Sequence, residues 1–192
     1  MNTQQRHFAP TREASFQEMI RQAGYDAKID LSHELEAHLV YLMMRYLHGS
    51  SRLNCAVALQ VMKTAEARGG ACIDTLNDTG DVCLLLAGLF PEQARRHMLS
   101  ASYFARIGCD CYRFLAGCTM ATRARMYRRL SDGFGDMIGV LRTLHHYDCR
   151  DWNRSMMDAY DLWQHTDCPT AFNELSAAHG STPVRHDQQY IL

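Results

Sequence analysis

Apolar residues recur along this chain at intervals of three and four, the period of an amphipathic α-helix. The clearest run is Leu31, Leu35, Leu39, Leu42, Met43, Tyr46 and Leu47, ended by Gly49-Ser50-Ser51. Ahead of it, Phe16, Met19, Ile20 and Ala23 share one face of a short helix over 15–23, with Gly24 as its stop. Asn54 is placed to cap a third helix carrying Val57, Val61 and Met62 and closed by Gly69-Gly70. From 72 to 90 the pattern changes, because the second half of that segment is apolar all round. In a globular chain such a helix belongs at the centre of the fold. A buried strand over 82–86 competes, but no second strand-like run exists to pair with it.

Pro91 then opens a segment over 92–98, at a first-turn position that needs no amide proton. A helix over 100–117 puts Ala101, Phe104, Ile107, Cys111, Phe114 and Cys118 on one stripe. The next, over 122–146, turns Met126, Leu130, Met137, Leu141 and Leu144 inward. Gly133, Gly135 and Gly139 interrupt it, so a kink or a close helix contact is expected there. Asp151 caps a helix with Trp152, Met156, Tyr160 and Trp163, and a shorter one follows over 171–178. The pattern predicts an all-α, single-domain bundle of about six to eight helices over 13–178, centred on the apolar helix near 72–90. It leaves a flexible arm at 1–12 and a flexible tail at 179–192.

Length and composition agree with one core: 192 residues at 47% hydrophobic content. The formal net charge of -1 provides no global positive field for nucleic acid or an anionic membrane. No apolar run approaches the ~18 residues of a membrane span, and residues 1–10 do not resemble a signal peptide. A cytoplasmic location is therefore expected, with the eight scattered cysteines as thiols and Cys83, Cys111 and Cys118 as small buried hydrophobes.

The segment Leu76-Asn-Asp-Thr-Gly-Asp-Val-Cys-Leu-Leu-Leu-Ala-Gly-Leu-Phe-Pro91, followed by Tyr103-Phe104 and Gly108, combines a Gly-Asp, an apolar run, a Phe-Pro, aromatics and a glycine. Over 76–108 it resembles a family of bacterial all-helical proteins that has no established activity. The resemblance implies the helical fold and adds no chemistry. Where that family tends to pair two tyrosines, this chain has Tyr103-Phe104.

Candidate chemistry concentrates on the second helix. Glu34, His38, Tyr41 and Arg45, spaced four, three and four apart, stack along one flank. A glutamate and a histidine one turn apart are able to ligate a metal or share a proton. Asp161 and His165 form a second one-turn pair, and Asp78 and Asp81 stand a turn apart at the start of the central helix. Converging inside a bundle, such pairs would build a carboxylate–histidine site for a metal or small ligand. The competing reading gives them structural work, with Asp78 capping the central helix and Asp81 paired with an arginine such as Arg45. Asp81 stands out, since a carboxylate directly before the most apolar stretch requires a partner or a raised pKa.

Other signals are weaker. The histidines of His33-Glu-Leu-Glu-Ala-His38 are five apart and miss zinc-protease spacing; Cys109-Asp-Cys111 misses the spacing of a redox motif or zinc knuckle. Arg123, Arg125, Arg128 and Arg129 open one helix, where they suit a protein interface better than a recognition helix for DNA. With no phosphate loop, nucleophile elbow or haem motif, the expected function is a non-enzymatic helical regulatory or interaction protein. Its expected partner is another protein or a second copy. The alternative is a helical enzyme or sensor built on Glu34, His38, Asp81, Asp161 and His165.

Overall fold

The computed structural model describes residues 11–48, 73–96, 99–148, 156–179 and 183–184. Within them every regular element is an α-helix: α1 (Arg12–Ala27), α2 (His33–His48), α3 (Ile73–Gly88), α4 (Pro91–Arg96), α5 (Ala101–Cys118), α6 (Ala121–Asp132), α7 (Phe134–Asp148), α8 (Met156–Thr166) and α9 (Pro169–His179). They form one domain around one hydrophobic core. The expected helix over 54–70 and the Asp151 cap lie outside the described residues, as do most of the expected arm and tail.

The apolar segment is the centre of the bundle, as its pattern demands. Cys83, Leu84, Leu86 and Ala87 are completely buried, and α3 packs along α5, against α7 and onto α4. Phe104, Tyr112 and Leu115 reach it from α5; Met137, Ile138 and Leu141 do so from α7. Truncating any one of these side chains would cost roughly 2–5 kcal/mol, because the packed surroundings close only part of the cavity. Outside this centre, α1 lies on α7 and α2, while α8 lies on α5 and α9.

Two expectations about helix ends need correction. Gly24 does not stop α1, which runs a turn further to Ala27. The left-handed position is taken by Lys28 (φ 57°), and the amides of Ile29 and Lys28 return to the carbonyls of Gly24 (2.9 Å) and Tyr25 (3.1 Å). That is a Schellman motif with the glycine four positions before its left-handed residue. The single helix expected over 122–146 is two helices, broken at Gly133. The glycines there serve close approach: a Cβ on Gly135 would lie 1.9 Å from the Thr166 carbonyl oxygen, so the segment between α8 and α9 presses directly on the α7 backbone.

The stripe on α5 is also rotated from its expected position. Phe114 (58% exposed) and Cys118 face solvent, and Tyr112 and Leu115 take the core positions. Met126 on α6, expected inside, is exposed as well; Tyr127 and Leu130 are the buried pair.

Candidate functional site

Helix α2 carries its polar flank as the spacing requires, and the flank meets three different helices. At the N-terminal end Glu34 accepts a bond from Arg129 of α6, both groups being about half exposed. In the middle His38 Nε2 lies 3.3 Å from Asp81 Oδ1 of α3 and 3.2 Å from the Tyr112 hydroxyl of α5. At the C-terminal end the Arg45 guanidinium bonds Asp78 (2.8 Å) and Asp81 Oδ2 (3.2 Å). Tyr41 points out to solvent between them, 59% exposed. The backbone of α2 packs chiefly on α1, and the His38 and Arg45 side chains reach across from it to α3.

Asp81 is the centre of the seam. It is 2% exposed, and its carboxylate has partners on both oxygens. Oδ1 accepts from the Tyr112 hydroxyl at 2.6 Å, and Oδ2 accepts from Arg45 and, at 3.4 Å, from Asn77 one turn back. The short O–H···O⁻ distance marks a charge-assisted bond. Tyr112 is wholly buried; desolvation, then the Asp81 charge, hold its hydroxyl well above the ordinary tyrosine range, so it stays protonated and donates. With that proton committed to Asp81, His38 Nε2 presents a proton of its own toward both oxygens, which assigns the Nε2–H form.

The local sequence makes room for this arrangement. Gly80 precedes Asp81, and a Cβ there would come within 2.6 Å of Tyr112 Cε1, so the ring packs this close to the α3 backbone only because the glycine is bare. Tyr127 stacks on Tyr112 with ring centroids 6.2 Å apart, and Phe134 meets it edge-on at 5.7 Å. Burial raises the Tyr127 pKa, with Arg123 opposing the shift. The cluster is a polar knot inside an aromatic collar.

The residues singled out from sequence are thus brought together only in part. His38, Asp81 and Arg45 share one network with Asp78. Glu34 belongs to a separate surface pair and does not share a site with His38. Asp161 and His165 form no side-chain pair: His165 is exposed, and its Nδ1 lies 2.7 Å from the Asp161 main-chain oxygen. Among the described residues no three His, Cys, Asp or Glu side chains converge as a metal would require. Tyr112 and Asn77 were missed. The only sequence hint of Tyr112 was its place beside the stripe through Phe104 and Cys111, with Gly80 as its cradle on the facing helix.

On α6 the arginines divide. Arg129 is committed to Glu34, whereas Arg123, Arg125 and Arg128 are exposed and have no carboxylate partner among the described residues. Elsewhere Arg21, Arg45, Arg95, Arg113 and Arg142 each hold a carboxylate. No protein-family model matches the chain, and no similar protein was found among curated proteins or solved structures.

Proposed function

We propose that this chain is a non-enzymatic helical interaction protein, with the Asp81 knot as its internal fastening and the arginine face of α6 as its contact surface. The observation that carries this reading is the contrast between the two regions. The Tyr112, Arg45 and His38 donors are turned onto Asp81 inside the protein, while Arg123, Arg125 and Arg128 present guanidinium groups along one helix that hold no carboxylate among the described residues. Exposed guanidinium groups of this kind form planar, bidentate contacts with carboxylates, which suits a protein partner or an acidic patch on a second copy. The overall charge of -1 argues against a nucleic-acid partner. Among the described residues no helix is long and apolar enough to cross a membrane. Buried thiols such as Cys83 and Cys168 support a reducing, cytoplasmic setting.

The test is size and partner capture with and without the arginines. Sedimentation of the purified chain, and affinity capture followed by mass spectrometry, should show a self-complex or a reproducible protein partner. Arg125→Glu combined with Arg128→Glu should abolish it while circular dichroism stays unchanged. A chain that is monomeric and captures nothing, or a complex indifferent to both charge reversals, would contradict the proposal.

A further inference from the structure

A second feature lies away from the polar seam, where α1 turns into α2. The turn encloses an open cleft of about 440 Å³, within the roughly 300–1,000 Å³ range of small-ligand sites. Its floor is apolar, formed by Ile20, Ile29 and Leu31. Tyr25 stands at the rim 81% exposed, an aromatic ring left almost wholly in water. Hydrophobic floors with a small number of charged groups at the edge are the usual construction of a site that orients an amphipathic molecule.

The charges around the cleft fall into two sets. Arg21 and Glu36 are joined at 2.9 Å, and Gln17 adds a bond to the same carboxylate oxygen at 3.0 Å, so this pair is internally satisfied. Lys28 and Asp30 also line the cleft, and neither has an ion-pair partner among the described residues. The two uncommitted charges are opposite in sign and two residues apart on one turn. Lys28 is moreover in the left-handed conformation (φ 57°), which glycine adopts without steric cost and lysine does not. A helix end favours a cation, but any position in the last turn would provide it.

From this pairing we infer that the cleft at the α1–α2 turn binds a small zwitterion with an apolar side chain, the chemical class of the aliphatic and aromatic α-amino acids. Lys28 takes the carboxylate, Asp30 takes the ammonium group, and the side chain lies on Ile20, Ile29 and Leu31 with Tyr25 closing over it. A plain carboxylic acid would leave Asp30 opposed to it, and a plain amine would leave Lys28 so. The cleft shares no residue with the α6 surface.

Isothermal titration of the full chain with L-phenylalanine tests it, alongside 3-phenylpropionate, which lacks the ammonium group, and phenethylamine, which lacks the carboxylate. L-phenylalanine should bind saturably at one site per chain and at least tenfold more tightly than either analogue. Lys28→Gly, which suits the backbone and so retains the fold, should weaken L-phenylalanine at least tenfold and leave phenethylamine no weaker. Asp30→Asn should weaken L-phenylalanine and leave 3-phenylpropionate no weaker. No saturable binding, equal affinity for all three compounds, or wild-type affinity in Lys28→Gly would overturn it.

Discussion

Replacing Tyr112 by phenylalanine isolates the bond at the heart of the polar knot. The ring keeps its place between Gly80, Tyr127 and Phe134, so no cavity forms and the packing is unchanged. What disappears is a hydroxyl donating to Asp81 at 2.6 Å. A hydrogen bond to a charged group contributes about 1.5–3 kcal/mol, and removing its donor from a buried carboxylate falls within that range. Asp81 retains Arg45, Asn77 and His38, which favours the lower half, about 1.5–2 kcal/mol. For a domain of this size that lowers the melting temperature by roughly 3–8 °C. Urea denaturation followed by circular dichroism should show a lower midpoint at an unchanged m-value. In combination with Asp81→Asn, the double mutant should be less destabilised than the sum of the singles, with a coupling energy above about 1 kcal/mol. Loss of less than about 0.5 kcal/mol in Tyr112→Phe, or strict additivity with Asp81→Asn, would refute the assignment. The pH dependence has a definite sign. A tyrosine whose folded pKa is raised contributes stability that is fully present below its unfolded value near ~10 and lost as pH rises toward the folded one, so alkaline destabilisation should be smaller in Tyr112→Phe.

Other consequences follow from the same geometry. Glu34→Ala should change stability by no more than about 0.5 kcal/mol, because its pair with Arg129 is exposed, whereas His38→Ala should cost about 1–3 kcal/mol; thermal unfolding of the two variants separates them. Gly135→Ala should destabilise by about 3 kcal/mol or more, since its methyl group would collide with the rigid Thr166 carbonyl, and a near-neutral result would contradict that close approach. Lys28→Gly should stabilise by about 1 kcal/mol through relief of the left-handed lysine, read as a rise in urea midpoint. Burial raises the Asp136 carboxyl, so its ionisation opposes folding: Asp136→Asn should be more stable than the parent chain at neutral pH, with the advantage vanishing as pH falls below the carboxylate range.

The all-helical class and the central position of α3 were legible because a helix apolar on every side has nowhere else to go. The Arg45–Asp81 pairing was legible only as the competing, structural reading of a carboxylate that, beside Val82 and Cys83, needed a partner or a raised pKa. Rotation about a helix axis was not. An apolar stripe spans at least ~100°, so Phe114 and Tyr112 both fit the edge of the α5 pattern, and only the neighbours decide which enters the core. The same limit hid the partner of Glu34. Spacing placed Glu34 and His38 on one flank but could not show that different helices face the two ends of that flank. Glycines misled in one direction only: Gly24, Gly133 and Gly135 were visible as irregularities, while their purpose depended on which backbone or side chain approached them.

A polar knot centred on Asp81 fastens α2 to α3 and α5. Native-state hydrogen exchange on the parent chain and on Asp81→Asn tests it directly, because it reads the opening free energy of each helix separately. Protection in α2 should fall by at least tenfold more than protection in α3, α5 and α7, which keep their apolar packing. Equal loss across all four helices, or unchanged protection in α2, would contradict it.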